Sequence, residues 1–263
     1  MKVGFCEMPC QLDPAGPVWE ALSERISGAG ADMMVLNEMP FGPWLARFSR
    51  YDSEAAASAI ALHERALETF DRLGTRVVIG SRPVAAGAKL ANEAFAWVDG
   101  AYLPLHHKHY FPNEPGFYES VWFHAEAAGF AARDLPGAKV GAQLCTELMF
   151  NEWSRHYRRE GAQIIAAPRA SELAVGRWQA ALAMAAVTSG CYVISSNRVG
   201  PEGDLRFGGR GFAYAPGGEL LAETSARDPV RVVEVDLALV TAAQADWPCY
   251  VPELPNANGP MQA

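Results

Sequence analysis

The chain has no apolar run near the roughly 20 residues that cross a bilayer, so no membrane span is expected. Its start, M-K-V-G-F-C-E-M-P, lacks the apolar stretch of a secretory leader, and a cytoplasmic location follows as the expectation. Basic runs are missing too. The 22 Lys and Arg are outnumbered by 30 Asp and Glu, and a net charge of -8 argues against nucleic-acid or anionic-membrane partners. No G-x-G-x-x-G or G-x-x-x-x-G-K-[ST] occurs, which leaves a nucleotide cofactor without support. Cysteine is scarce and odd in number: Cys6, Cys10, Cys145, Cys191 and Cys249 show no framework spacing. They read as reduced thiols, and the C-G-[SA]-C-[WY] context of papain-like enzymes is absent.

What is present is an ordinary globular chain of 263 residues, half of them hydrophobic, without repeats or linkers. Strands and helices alternate. Residues 2–8 read as a strand; Pro17 opens a helix that Gly28 closes; A-D-M-M-V-L-N-E is an apolar strand ending on Glu38. One helix is expected from a cap at Asp52 or Ser53 to Gly74, then a strand from Arg76 to Gly80. Asn92–Val98 and Ala101–Lys108 form a hairpin around Asp99-Gly100. Val140 to Leu144 is a short apolar strand, followed by a helix that Asn151 would cap. Gln163–Ala167 is a strand, Arg177–Ser189 a helix ended by Gly190. Strands close the pattern at Tyr192–Ser196, Gly211–Ala215 and Val230–Val235. The reading is one α/β domain over residues 1–245 and a Pro-rich tail, 246–263, that lies across a partner subunit or frays.

Three ionisable residues end apolar runs: Glu38, Lys108 and Cys145. Taken singly, each has a plain reading, as a rim ion pair or a small core thiol. Together they suggest acyl transfer. A carboxylate can take the thiol proton, the thiolate is the nucleophile, and a fixed ammonium can hold the oxyanion. Such a site needs neither histidine nor metal.

The contexts N-E-M-P-F-G-P-W, H-H-K-H-Y-F-P-N-E-P-G-F-Y-E-S and Q-L-C-T-E-L-M-F-N-E-W resemble, in order and spacing, the three signature blocks of the nitrilase superfamily of carbon–nitrogen hydrolases. I-I-A-A-P-R-A-S, S-S-N-R-V-G and A-P-G-G-E-L-L-A-E resemble its later strand blocks. The resemblance implies a four-layer α-β-β-α sandwich, assembly into homodimers or larger oligomers, no cofactor, and cleavage of a non-peptide C–N bond through a thioester. It puts the base on Glu38, oxyanion support on Lys108 with the backbone of Thr146, and the nucleophile on Cys145. It puts the lysine's second carboxylate on Glu119, with Glu114 as the closer-spaced rival.

Thr146 and Glu147 after the cysteine, where nitrile hydrolysers resembling this chain carry Trp-Glu, favour an amide or N-carbamoyl substrate. Leu148 and Met149, where D-carbamoylase-like enzymes carry arginines, argue against that branch. Gly211 and Ala215, with Arg210 beside them, depart from the pattern, so that region is expected to be built differently. Nitrile hydrolysis, acyl transfer and a non-catalytic scaffold are the alternatives. The histidines His106, His107 and His109 lack a further ligand pair, and no metal is expected. Trp44, Tyr118, Met149 and Arg169 are the candidate substrate-pocket residues.

Overall fold

The computed structural model describes residues 1–126 and 129–253. In chain order the elements begin with β1 (Lys2–Pro9), α1 (Pro17–Ala29), β2 (Met33–Val35), α2 (Ser53–Leu67), β3 (Val77–Ala86), β4 (Lys89–Val98) and β5 (Ala101–His107). Next come β6 (Asn113–Glu114), β7 (Phe117–Tyr118), α3 (Glu119–Trp122), β8 (Arg133–Leu135), β9 (Ala138–Ala142) and α4 (Glu152–Arg159). The chain continues with β10 (Ile164–Arg169), α5 (Val175–Ser189), β11 (Tyr192–Glu202) and β12 (Leu205–Gly208). It closes with β13 (Phe212–Tyr214), β14 (Leu220–Glu223), β15 (Val230–Glu234) and α6 (Leu237–Ala245).

Two sheets share one strand. The first half of β1 pairs parallel with β2 and antiparallel with β15, and β3, β4 and β5 extend that sheet outward. The last residues of β1, Glu7 to Pro9, pair parallel with Asn197 to Val199 of β11, which leads through β10 and β9 to β8. Successive side chains on a strand point to opposite faces. Val3, Phe5, Met33, Val35 and Ile79 of the first sheet therefore meet Val140, Ile164, Ala166 and Ile194 of the second in one buried layer. Their neighbours Cys6, Met34 and Val78 face outward, under Trp19, Leu22 and Ile26 of α1 and Ala66 of α2. On the far side, Ile165, Ala167 and Val193 lie under Leu182, Ala185 and Ala186 of α5 and Tyr157 of α4. The result is the expected α-β-β-α sandwich. A β-carbon on Gly141 would lie 2.5 Å from the Tyr157 ring, so only glycine lets α4 sit this close to β9.

Several elements differ from the sequence reading. α1 runs past Gly28 to a left-handed Gly30, and the expected long helix stops at Leu67 before a separate 3-10 turn, Phe70–Leu73. Asp52 does cap α2, accepting from the N–H of Glu54 and Ala55. Asn151 stands at the start of α4 without capping it: its side-chain oxygen accepts from the Thr188 hydroxyl at 2.8 Å. Helix α6 is an element the sequence reading lacks. Its sequence, LALVTAAQA, carries little polar contrast between faces, so no 3.6-residue period betrays it. The described part of the tail packs back on this chain. Glu253 pairs with Arg155 and Arg159 of α4, and the Cys249 thiol reaches the Val187 carbonyl. Residues 254–263, with Pro255 and Pro260, lie outside the described residues. No helix of the described chain is long and apolar enough to cross a membrane.

Candidate active site

The two sheets bring their strand ends together on one rim. Glu38 follows β2 by three residues, fully buried, and its main-chain N–H donates to the Arg169 carbonyl at 3.2 Å. Lys108 follows β5 directly and is equally buried. Its Nζ donates to Glu38 Oε1 at 2.8 Å and to Glu119 Oε2 at 2.5 Å. Glu119 opens α3, whereas Glu114 sits exposed in β6. Two carboxylates thus share one ammonium, and burial of all three is tolerable only because of that sharing. Burial, and Glu38 beside it, lift Glu119 to about 8 against the pull of Lys108. Burial alone would push Lys108 down, but the two carboxylates hold its proton more tightly than in water.

Cys145 stands on the other sheet's side of the rim. It begins a 3-10 turn, Cys145–Met149, with φ of 49°, a left-handed backbone that a non-glycine residue holds at a cost of about 1–3 kcal/mol. Such a bend lifts a side chain out of the strand line, and the first amides of a helical turn, here those of Cys145 and Thr146, have no intrahelical acceptor. Burial and the Glu38 charge push the thiol well above its ordinary range, opposed by Lys108. One residue ties base to thiol: the Ala170 N–H donates to Glu38 Oε2 at 3.1 Å, and the Cys145 Sγ lies 3.9 Å from the Ala170 carbonyl.

Sequence reasoning missed Asn92 and Glu147. Asn92 donates to Glu38 Oε1 at 2.8 Å, and its carbonyl accepts the Lys108 main-chain N–H at 2.9 Å. Glu147 joins the sheets. One of its oxygens takes the Leu144 N–H and His106 Nε2, both at 2.8 Å; the other takes the His109 N–H, also at 2.8 Å. Because Phe130 N–H donates to His106 Nδ1 at 3.1 Å, that nitrogen is the acceptor and Nε2 carries the proton. His106 is therefore neutral and donates to an ionised Glu147. The signal available was Glu147 itself, an acid two residues past the thiol in a stretch too apolar to leave it unpaired.

The candidate pocket residues separate. Trp44 is fully buried, its indole N–H given to the Gly116 carbonyl, and it packs with Phe117 and Phe207. Tyr118 is half-buried just ahead of Glu119, and Met149 is exposed at the end of the cysteine turn. Arg169 is buried beside the site. Its Nε donates to Ser195 Oγ at 2.7 Å, Nη1 to Ser171 Oγ at 3.0 Å and Nη2 to the Arg210 carbonyl at 2.7 Å. Arg210 also holds a left-handed backbone, gives its N–H to Glu7 and pairs its side chain with Glu223. A groove of about 520 Å³ lies elsewhere, between α1 and Pro229, away from this chemistry.

A model of the carbon-nitrogen hydrolase family matches residues 3–245. The chain belongs to that family. Among relatives of this hydrolase, an N-carbamoylputrescine amidase of Arabidopsis thaliana is 25% identical over 87% of this chain and 83% of its own. A nitrilase of Pyrococcus abyssi is 28% identical over 91% of each. The crystal structure of a carbon-nitrogen hydrolase from Helicobacter pylori G27 superposes with a TM-score of 0.83 at 22% identity, covering 95% of this chain and 94% of that one. The chain is thus a hydrolase of C–N bonds with the nitrilase-type fold.

Proposed function

We propose that this hydrolase cleaves a small linear amide or N-carbamoyl compound through a thioester on Cys145. The observation that carries the reading is the Lys108 ammonium, held by Glu38 and Glu119 beside a thiol on a left-handed turn. Glu38 takes the Cys145 proton and the thiolate attacks the carbonyl carbon. Lys108 Nζ and the Thr146 N–H receive the oxygen as it turns negative. When the tetrahedral species collapses, the C–N bond breaks and Glu38 returns the proton to the departing nitrogen. The same carboxylate then takes a proton from water, hydroxide adds to the thioester, and the thiol is released. A raised thiol pKa suits this scheme, because the proton leaves only when a carbonyl is in place to receive the sulfur.

The printed names of the relatives support amides and carbamoyl compounds as the substrates to try first; the nitrilase among them keeps nitriles in the comparison. An ammonia-release screen across linear amides, ureido acids and nitriles tests the reading, with Cys145→Ala run beside the parent. Turnover of at least one amide or carbamoyl compound is expected, with Cys145→Ala lower by about four orders of magnitude or more. Equal activity in the variant would overturn the assignment.

A further inference from the structure

The molecule contains two fully buried arginines, and only one has an acid. Arg198 pairs with the equally buried Glu202 at 3.4 Å. Arg169 meets Ser195, Ser171 and the Arg210 carbonyl, all neutral, and no carboxylate lies within ion-pair distance among the described residues. A guanidinium has five N–H groups, and these three bonds leave one on each Nη without a protein acceptor among the described residues. Trp178 and Phe212 lie 5.0 and 5.4 Å from its carbon. Rings at that range ease the burial of a cation but neutralise none of its charge. A buried charge is retained where a partner arrives to meet it.

The surroundings say where the partner comes from. Cys145, Tyr214 and Glu38 are the titratable groups whose fields act most on Arg169. Cys145, Trp178, Phe212 and Tyr214 pack in one cluster, so an acyl group on the Cys145 sulfur shares its walls with the guanidinium. The neighbouring residue Ala170 touches both Glu38 and the thiol. We infer that Arg169 is a specificity-determining residue that receives an anionic group on the acyl side of the substrate, so that the preferred substrates are half-amides of short dicarboxylic acids. The inference rests on the thioester reading and narrows it. The acyl part stays on sulfur through both halves of the reaction, whereas the nitrogen must leave, so a closed anchor belongs to the acyl part. A carbamoyl group has no room for an acid there.

The test compares succinamate and glutaramate with the neutral butyramide and valeramide, for the parent, Arg169→Gln and Arg169→Lys. The parent is expected to favour the half-amides in kcat/KM by about 10² or more, the scale set by a bidentate guanidinium–carboxylate pair that a neutral amide cannot form. Arg169→Gln should erase that preference mainly through KM, with the neutral amides within a few-fold; Arg169→Lys should keep part of it. Equal loss on charged and neutral amides would overturn the inference, since a purely structural arginine, or one serving the thiolate, acts on both alike. So would a parent that prefers the neutral amides. Should Arg169→Gln fail to fold, the parent's own preference and Arg169→Lys decide. A chain that turns over no amide counts against the proposed function alone. In that case glutarate should still slow alkylation of Cys145 by iodoacetamide where valeramide does not, and no protection by glutarate would overturn the anion site.

Discussion

Two buried cations organise neighbouring parts of this rim, and they are held in opposite ways. Lys108 is shared by two carboxylates, Glu38 and Glu119, and Glu38 also accepts from Asn92 and Ala170. Arg198 has one acid, Glu202, and directs its other N–H groups at main-chain carbonyls of Met39 and Gly42, with Trp44 and Phe207 beside it. Those carbonyls belong to the turn directly after Glu38, so Arg198 fastens the piece of chain on which the acid stands. The first arrangement has an excess of acid and can pass a proton; the second is closed and can only hold. Buried ion pairs read alike in a sequence, and this count of acids per cation separates a reacting cluster from a scaffold.

Glu202→Gln attacks the closed cluster and should have the largest effect on folding. Removing one partner of a fully buried pair costs about 3–5 kcal/mol, to be read from urea unfolding, while turnover per folded molecule stays within about tenfold. A variant of parental stability would show that Arg198 needs only its carbonyls.

Glu119→Gln attacks the open cluster and should lower kcat by about 10² with little loss of stability. The deficit should depend on pH. Glu119 titrates near 8 in the fold, above the ordinary carboxylate value, so its charge supports Lys108 increasingly as pH rises through 8. A carboxyl raised in the folded state contributes stability that fades as pH climbs from its unfolded pKa towards 8. The parent should therefore gain activity and lose stability across that window, and Glu119→Gln should do neither. A constant ratio of the two kcat values from pH 6 to 9 would remove Glu119 from the reacting cluster. Glu114→Gln, exposed and outside both clusters, should stay within a few-fold of the parent at every pH, the smallest effect of the set.

The parts of this molecule that repeat along the chain are readable in its sequence. Apolar runs mark the main strands, Asp52 and Gly190 mark helix ends, and Glu38, Lys108 and Cys145 stand out because a charge or thiol closes an apolar run. What the chain order hides are partners far apart. Asn92 looks like any polar residue at a hairpin start, and its meaning lies in Glu38, 54 positions earlier. Glu147 gains its role only against His106 and His109, whose spacing raises the question of metal instead. The positive φ of Cys145 has no residue signature at all, since glycine, the usual marker, is absent there. Helix α6 escapes because its apolar residues are spread around the axis.

Glu147 has a consequence for how the molecule comes into being. Glu38 and Lys108 end strands of one sheet, Cys145 and Ala170 stand at strand ends of the other, and Glu147 bolts the cysteine turn to the His106–His109 segment. Neither half of the chain carries a working thiol on its own. The cysteine acquires its base and its ammonium in the step that docks the two sheets, which makes the chemistry of a single sulfur atom a timer for the completion of folding.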